Sequence, residues 1–232
     1  MALILNLESA TAWCSVAIGK DGILLETAAA ANTFAHSEQI TLLIQQVCQA
    51  AGVSLADLDA VAVSQGPGSY TSLRVGMSTA KGICYALNKP MIGVSTLLAQ
   101  AQGALLDLPA ERFENRPLII PMIDARRMEV YTNIFDLELM AKSEDEAKII
   151  EESSYQNFFQ LRQNLIFTGD GCEKCRSILE NDHTYFYPSH AKAAYLVPLA
   201  EKAFQAKQFL DIAYAAPFYL KAPNITTPKK LL

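Results

Sequence analysis

Residues 60–76 read Ala-Val-Ala-Val-Ser-Gln-Gly-Pro-Gly-Ser-Tyr-Thr-Ser-Leu-Arg-Val-Gly. The first five form an apolar run of strand length, and Gly66-Pro67-Gly68 breaks it. Leu73, Met77, Ala80, Ile83, Cys84 and Leu87 then recur at helical spacing until Pro90. Strand, glycine-rich turn and helix together make a building unit of an α/β protein. Such a turn exposes backbone N–H groups at a helix N-terminus, where an anion fits; it serves equally as a tight corner that brings helix and sheet together. No Gly-Lys-Ser/Thr follows at phosphate-loop spacing, and the pattern is not a dinucleotide fingerprint. These residues alone leave both uses of the turn open.

The neighbouring stretches repeat the unit. Upstream, residues 2–7, 14–18 and 23–27 are three apolar runs, the last two joined by the turn Gly19-Lys20-Asp21-Gly22, which predicts an antiparallel meander. Ser37 and Glu38 are placed to start a helix, Ile40, Leu43, Ile44, Val47 and Cys48 give it one apolar stripe, and Gly52 is its left-handed cap. Downstream, residues 91–94 predict a strand, with a third helix from Ser95.

After Pro117 the order recurs more faintly. Strands are expected at 118–123 and 129–135 around Asp124-Ala125-Arg126-Arg127, then at 147–150, with a helix at 154–161. A strand at 165–168 stops at Gly169-Asp170-Gly171, a helix starts at Cys172, Phe186 marks a short strand, and residues 191–204 a final helix. Each half reads β-β-β-α-β-α-β-α, which predicts two similar α/β lobes with mixed sheets. Their expected extents are 1–103 and 104–232, with the tail beyond Tyr214, carrying Pro217, Pro223 and Pro228, returning over the first lobe.

Bulk properties narrow the function classes. The 232 residues are 51% hydrophobic and 19% charged, enough for a substantial core and too apolar for disorder. With 19 Lys and Arg against 24 Asp and Glu, the net charge is −5, so the chain is not expected to be the principal grip on an RNA backbone. The N-terminus lacks a basic n-region and reaches Glu8 after seven residues, which predicts a strand rather than a signal peptide. No apolar stretch is long enough to span a membrane. Five cysteines among apolar neighbours fit a reducing cytoplasm, and the lone pair Cys172 and Cys175 has no partners for a zinc site.

Several segments together resemble one family. They are Gly66-Pro67-Gly68-Ser69-Tyr70-Thr71-Ser72-Leu73-Arg74-Val75-Gly76, Ala80-Lys81-Gly82, Pro90-Met91-Ile92-Gly93-Val94-Ser95, Leu7-Glu8-Ser9-Ala10-Thr11, Cys14-Ser15-Val16-Ala17, His36-Ser37-Glu38 and Asp124-Ala125-Arg126-Arg127-Met128-Glu129-Val130-Tyr131. Taken in their order along the chain they resemble the TsaB (YeaZ) family, most of the likeness lying before Gly171. The resemblance implies an α/β, two-lobed actin-like ATPase (ASKHA, ribonuclease H-like) fold. It also implies a part in making N6-threonylcarbamoyladenosine at adenosine 37 of tRNA. There the family serves as scaffold for TsaD, a related transferase, alongside the ATPase TsaE, and it also pairs with itself.

The resemblance further implies no catalytic residue, no cofactor and no metal site of its own. TsaD-like proteins carry two histidines four residues apart after a Pro-x-x-x-Val strand, on one helical face and in reach of one ion. Here Thr96 and Gln100 hold those places, and neither replaces a neutral imidazole. The phosphate-loop equivalent, Glu8, Ser9 and Thr11, is degenerate, with Glu where the family mostly has Asp. Ser72 stands where the family usually has Gly, which argues against positive φ at that place. Asp124, Arg126, Arg127 and Glu129 either are solvated turn charges or line a cleft or contact a partner. A partner interface is expected on the first two helices, at Ile40, Leu43, Val47, Leu73, Gly76, Met77 and Ala80. The expected partners are a TsaD-like subunit, a TsaE-like ATPase and a second copy, with tRNA touched only indirectly and no membrane. The competing reading is a nucleotide-dependent ATPase or kinase of the same superfold. The chain contains no His-x-x-x-His or His-Glu-x-x-His, which argues against a metallopeptidase.

Overall fold

The computed structural model describes residues 2–30 and 36–222, the side chains of 36–38 excepted. The first half runs β1 (Leu3–Glu8), β2 (Cys14–Lys20), β3 (Ile23–Ala30), α1 (His36–Ala51), β4 (Ala60–Gly66), α2 (Tyr70–Leu87), β5 (Met91–Ser95) and α3 (Thr96–Asp107). The second runs β6 (Leu118–Asp124), β7 (Glu129–Thr132), β8 (Glu146–Ile149), α4 (Gln156–Gln160), β9 (Leu165–Thr168), α5 (Arg176–Leu179), β10 (Thr184–Tyr187) and α6 (Ala193–Gln205). The sheets have orders β3-β2-β1-β4-β5 and β10-β9-β6-β7-β8. In each, the first strand pairs antiparallel with the second and parallel with the fourth. One topology is therefore used twice.

Strand alternation sorts the cores. On the first sheet Leu5, Leu7, Val16, Ile18, Val61 and Val63 face α1 and α2, while Ala2, Ile4, Ala60, Ala62, Ile92 and Val94 face α6 and α3. On the second, Ile120, Met122, Leu165 and Phe167 pack with Tyr155, Cys172, Cys175 and Leu179. Its other face, Ile119, Ile123 and Ile166, packs on Leu97, Ala101 and Ala104 of α3. The layers are thus α1 and α2, first sheet, α3 and α6, second sheet, α4 and α5. The final helix, which follows the second sheet in sequence, packs on the first. At the α3–α6 crossing Gly103 makes room for the Tyr195 ring, since a Cβ there would lie 2.6 Å from Tyr195 Cζ.

Local signals explain most boundaries. Gly52 is left-handed at φ 66°, and Asn88, at φ 51°, closes α2 before Pro90 can. Ser95 caps α3 by accepting from the Leu98 N–H. Helix α1 starts at His36, and the capping role expected of the Ser37 side chain lies outside the described residues. Ser72 is helical and buried, so no positive φ is needed there. The second lobe departs more. The strand expected to reach residue 135 ends at Thr132, and Phe135 keeps only isolated bridges to Ile119 and Ala141. The helix expected from Cys172 is a 3-10 turn followed by α5. Cys172 and Cys175 are buried core thiols.

At the C-terminus of α3, Asp107 Oδ2 accepts from Tyr187 at 2.8 Å, from Lys192 at 3.1 Å and from Tyr195. Burial raises this carboxyl, but the three donors outweigh it and hold it below the usual carboxylate range. A lowered acid contributes stability that is complete above its unfolded pKa and is lost as pH falls through the folded one. Asp107→Asn is expected to cost about 2 kcal/mol at neutral pH. It should also flatten the decline in stability below pH ~4, read by urea melts across acid pH. An unchanged acid limb would refute the assignment.

Candidate functional site

A cleft of about 620 Å³ opens between the lobes. Its first-lobe wall is Ala10, Thr11 and Ala12, which follow β1, with Gly68 to Ser72 at the start of α2; its second-lobe wall is Ile123, Asp124, Ala125, Arg126, Tyr131 and Asp170. The two first-lobe loops are zipped together. The Ser69 N–H donates to Ala10 O at 2.7 Å, and a Cβ on Gly68 would lie 2.8 Å from Ala10 Cβ. Ser9 Oγ donates to Ser72 O at 2.9 Å and rests on Gly76, whose missing side chain leaves it room. The turn read from residues 66–68 is therefore a close-approach corner, and the N-terminus of α2 faces the cleft.

Glu8, Ser9 and Thr11 are all buried at the end of β1. Glu8 Oε1 accepts the Ala10 N–H at 2.6 Å, while Oε2 has no hydrogen-bond partner. Burial pushes the Glu8 carboxyl up to about 7; the Ala10 N–H, Ser64 and the Ser9 N–H pull it down, and Asp170 across the cleft adds to the rise. Asp170 is itself raised, chiefly by burial, although its Oδ1 accepts the Asp124 N–H at 3.0 Å. Burial, with Glu8 as neighbour, pushes Cys14 up to about 12, so it is an inert thiol.

The charges of the strand connection divide. Asp124 is paired with Lys174, and its Oδ1 also accepts the Arg126 N–H at 2.7 Å. Glu129 is paired with Lys221 at 2.6 Å. Arg126 and Arg127 adopt φ of 75° and 51°. Asp124, Arg126 and Asp170 line the cleft.

Thr96 and Gln100 are buried on one face of α3. Gln100 Nε2 donates to Thr168 Oγ1 at 3.1 Å and to Ser189 Oγ at 2.5 Å, tying α3 to the second lobe, and Thr96 Oγ1 has no partner. Among the described residues no cluster of His, Cys, Asp and Glu could hold a metal ion, and no helix is long and apolar enough to cross a membrane.

The seven residues expected at a partner interface are elsewhere than a surface. Ile40, Leu43, Val47, Leu73, Gly76, Met77 and Ala80 are all buried within this chain. The reason is physical: the most continuous apolar stripe of a helix is the one its own sheet covers. The outward faces of α1 and α2 instead carry Leu42, 63% exposed, and Tyr85, 84% exposed, beside Ser78 and Gly82.

Sequence reading missed several cleft residues. Tyr131, Tyr219 and Lys221 lie far apart in the chain, with no motif to connect them. Trp13, the chain's one tryptophan, is not part of the cleft lining; its ring stacks on His190 at 4.5 Å between centroids.

A family model described as "TsaD: tRNA N6-adenosine threonylcarbamoyltransferase" matches residues 22–228. The tRNA threonylcarbamoyladenosine biosynthesis protein TsaB of Escherichia coli (strain K12) is 30% identical over 237 residues, covering 98% of this chain and 97% of its own. Its namesake in Haemophilus influenzae is also 30% identical, over 98% of this chain and 96% of its own. The solved structure of YeaZ from Pseudomonas aeruginosa has a TM-score of 0.79 at 23% identity, covering 95% of this chain and all of that one, which bears out the two-lobed actin-like fold. The doubled sheet topology and the full-length likeness agree: this chain belongs to the TsaB (YeaZ) family.

Proposed function

We propose that this chain serves the biosynthesis of threonylcarbamoyladenosine in tRNA as a non-catalytic cytoplasmic subunit that docks on a TsaD-like transferase. The observation that carries the reading is the state of α3. Where the resemblance puts two metal-binding histidines, Thr96 and Gln100 stand, and the Gln100 amide is already committed to Thr168 and Ser189. A catalytic site would need donors at that place, and this one has been turned into an inter-lobe tie. The phosphate-loop acid supports the same reading. Glu8 is fully buried and does not line the cleft, so its carboxylate is not presented to a hydrated cation there.

The docking face we assign is the outward side of α1 and α2. Leu42 and Tyr85 are large apolar groups left in water there, and Gly82 has open space around the position of a Cβ. A TsaE-like ATPase and a second copy of the chain are the further partners of this reading.

The test is a tRNA modification assay with purified TsaD-like protein, TsaE-like ATPase, threonylcarbamoyl donor and unmodified tRNA, run with and without this chain. Modification is expected only when the chain is present, and the chain alone should form none. Full-rate modification in its absence would end the scaffold reading. Stoichiometric Mg–ATP turnover by the isolated chain would favour the ATPase or kinase alternative.

A further inference from the structure

We propose that residues 209–222 form a strap that gates the inter-lobe cleft, hinged on the first lobe and clasped to the second by Lys221 and Glu129. The hinge side is built from backbone bonds and glycine seats. The Leu210 N–H donates to Met91 O at 2.8 Å, and a Cβ on Gly93 would lie 2.8 Å from Leu210 Cδ1. The Phe218 N–H donates to Gln65 O at 2.7 Å, and Gln65 Nε2 donates to Ala216 O at 3.3 Å. Gly66, at φ 119°, has the Phe218 carbonyl pressed where a Cβ would stand, so any other residue there would expel the strap. Leu210, Ile212 and Ala215 pack at the margin of the first core.

Beyond the hinge the strap crosses the cleft mouth. The Tyr219 ring lies on Tyr70 at 4.8 Å, and Tyr219, Leu220, Lys221 and Ala222 complete the cleft lining. Lys221 Nζ then reaches Glu129 Oε2 on β7 at 2.6 Å. Among the hydrogen bonds and ion pairs of the described strap residues, this is the one made to the second lobe. The two ends are unequal in kind. Several backbone bonds, glycine seats and apolar contacts hold the hinge, whereas the clasp is a single partly exposed ion pair, weak and screened by salt. Opening therefore starts at Lys221 and uncovers the loops at 10–12 and 68–72.

The test is hydrogen–deuterium exchange with peptide-level mass spectrometry on the full-length chain at low salt. Lys221→Glu sets two carboxylates against each other and should speed exchange about 3-fold in residues 216–222 and in both cleft loops, the scale of an exposed ion pair. The swap Lys221→Glu with Glu129→Lys should restore the parent rates. Added salt should move the parent protein in the same direction as Lys221→Glu. Faster exchange in the strap alone, no change anywhere, or failure of the swap to restore would each overturn the gate.

Discussion

Glu8→Gln is expected to abolish a loss of stability of about 3 kcal/mol that the parent protein suffers between pH 4.5 and pH 7. The carboxyl is fully buried, its ordinary value is 4.5, and burial lifts it to about 7. In that window the folded chain holds a proton that the unfolded chain has released, so stability falls as pH rises. The contribution is whole below the unfolded value and gone above the folded one. Glutamine keeps an acceptor for the Ala10 N–H, and it does not titrate. Its amide N–H₂ replaces the unpartnered Oε2, which offsets part of the gain at alkaline pH. Urea melts at pH 4.5, 6 and 8 check this: the parent should weaken along the series relative to the variant. Parallel curves would show that Glu8 is already ionised at pH 6. Burial raises Asp170 as well, so Asp170→Asn should remove a smaller part of the same slope.

The second large effect separates the two faces of one pair of helices. Leu73 is fully buried, and Leu73→Ala should cost about 3 kcal/mol of stability through lost burial and a residual cavity. Tyr85→Asp and Leu42→Asp alter exposed side chains and should leave the thermal midpoint almost unchanged. If α1 and α2 dock on a transferase, the same two substitutions should weaken the complex by at least about 30-fold, the scale of a central interface residue. Thermal melts and titration calorimetry with the TsaD-like protein read the two quantities independently. Full affinity in the Tyr85→Asp, Leu42→Asp double variant would move the interface away from these helices. A large drop in thermal midpoint would show instead that the two side chains support the fold.

How legible the protein was depends on the range of the interaction involved. The apolar runs of β1, β2 and β4 and the helical stripe of α2 are local, and the first sheet with its covering helix follows from them. The second half is harder to read because its elements are short: α5 spans Arg176–Leu179, and Tyr155, at φ 62°, truncates α4 at its start. The replacement of a histidine pair by Thr96 and Gln100 was likewise visible, because the family resemblance says which residues to expect at those two places.

Sequence by itself determined the duplicated β-β-β-α-β-α-β-α order, the break between strand and helix at residues 66–68 and the family, all carried by neighbours along the chain. Tertiary structure alone decided which apolar stripe is core and which side chains face water. It also decided that Glu8 lies buried within reach of the charge of Asp170, that Gln100 ties α3 to Ser189, and that the tail crosses from Gln65 to Glu129. Each of these joins residues tens of positions apart, and burial and electrostatic environment are set by the packed lobes rather than by local propensity.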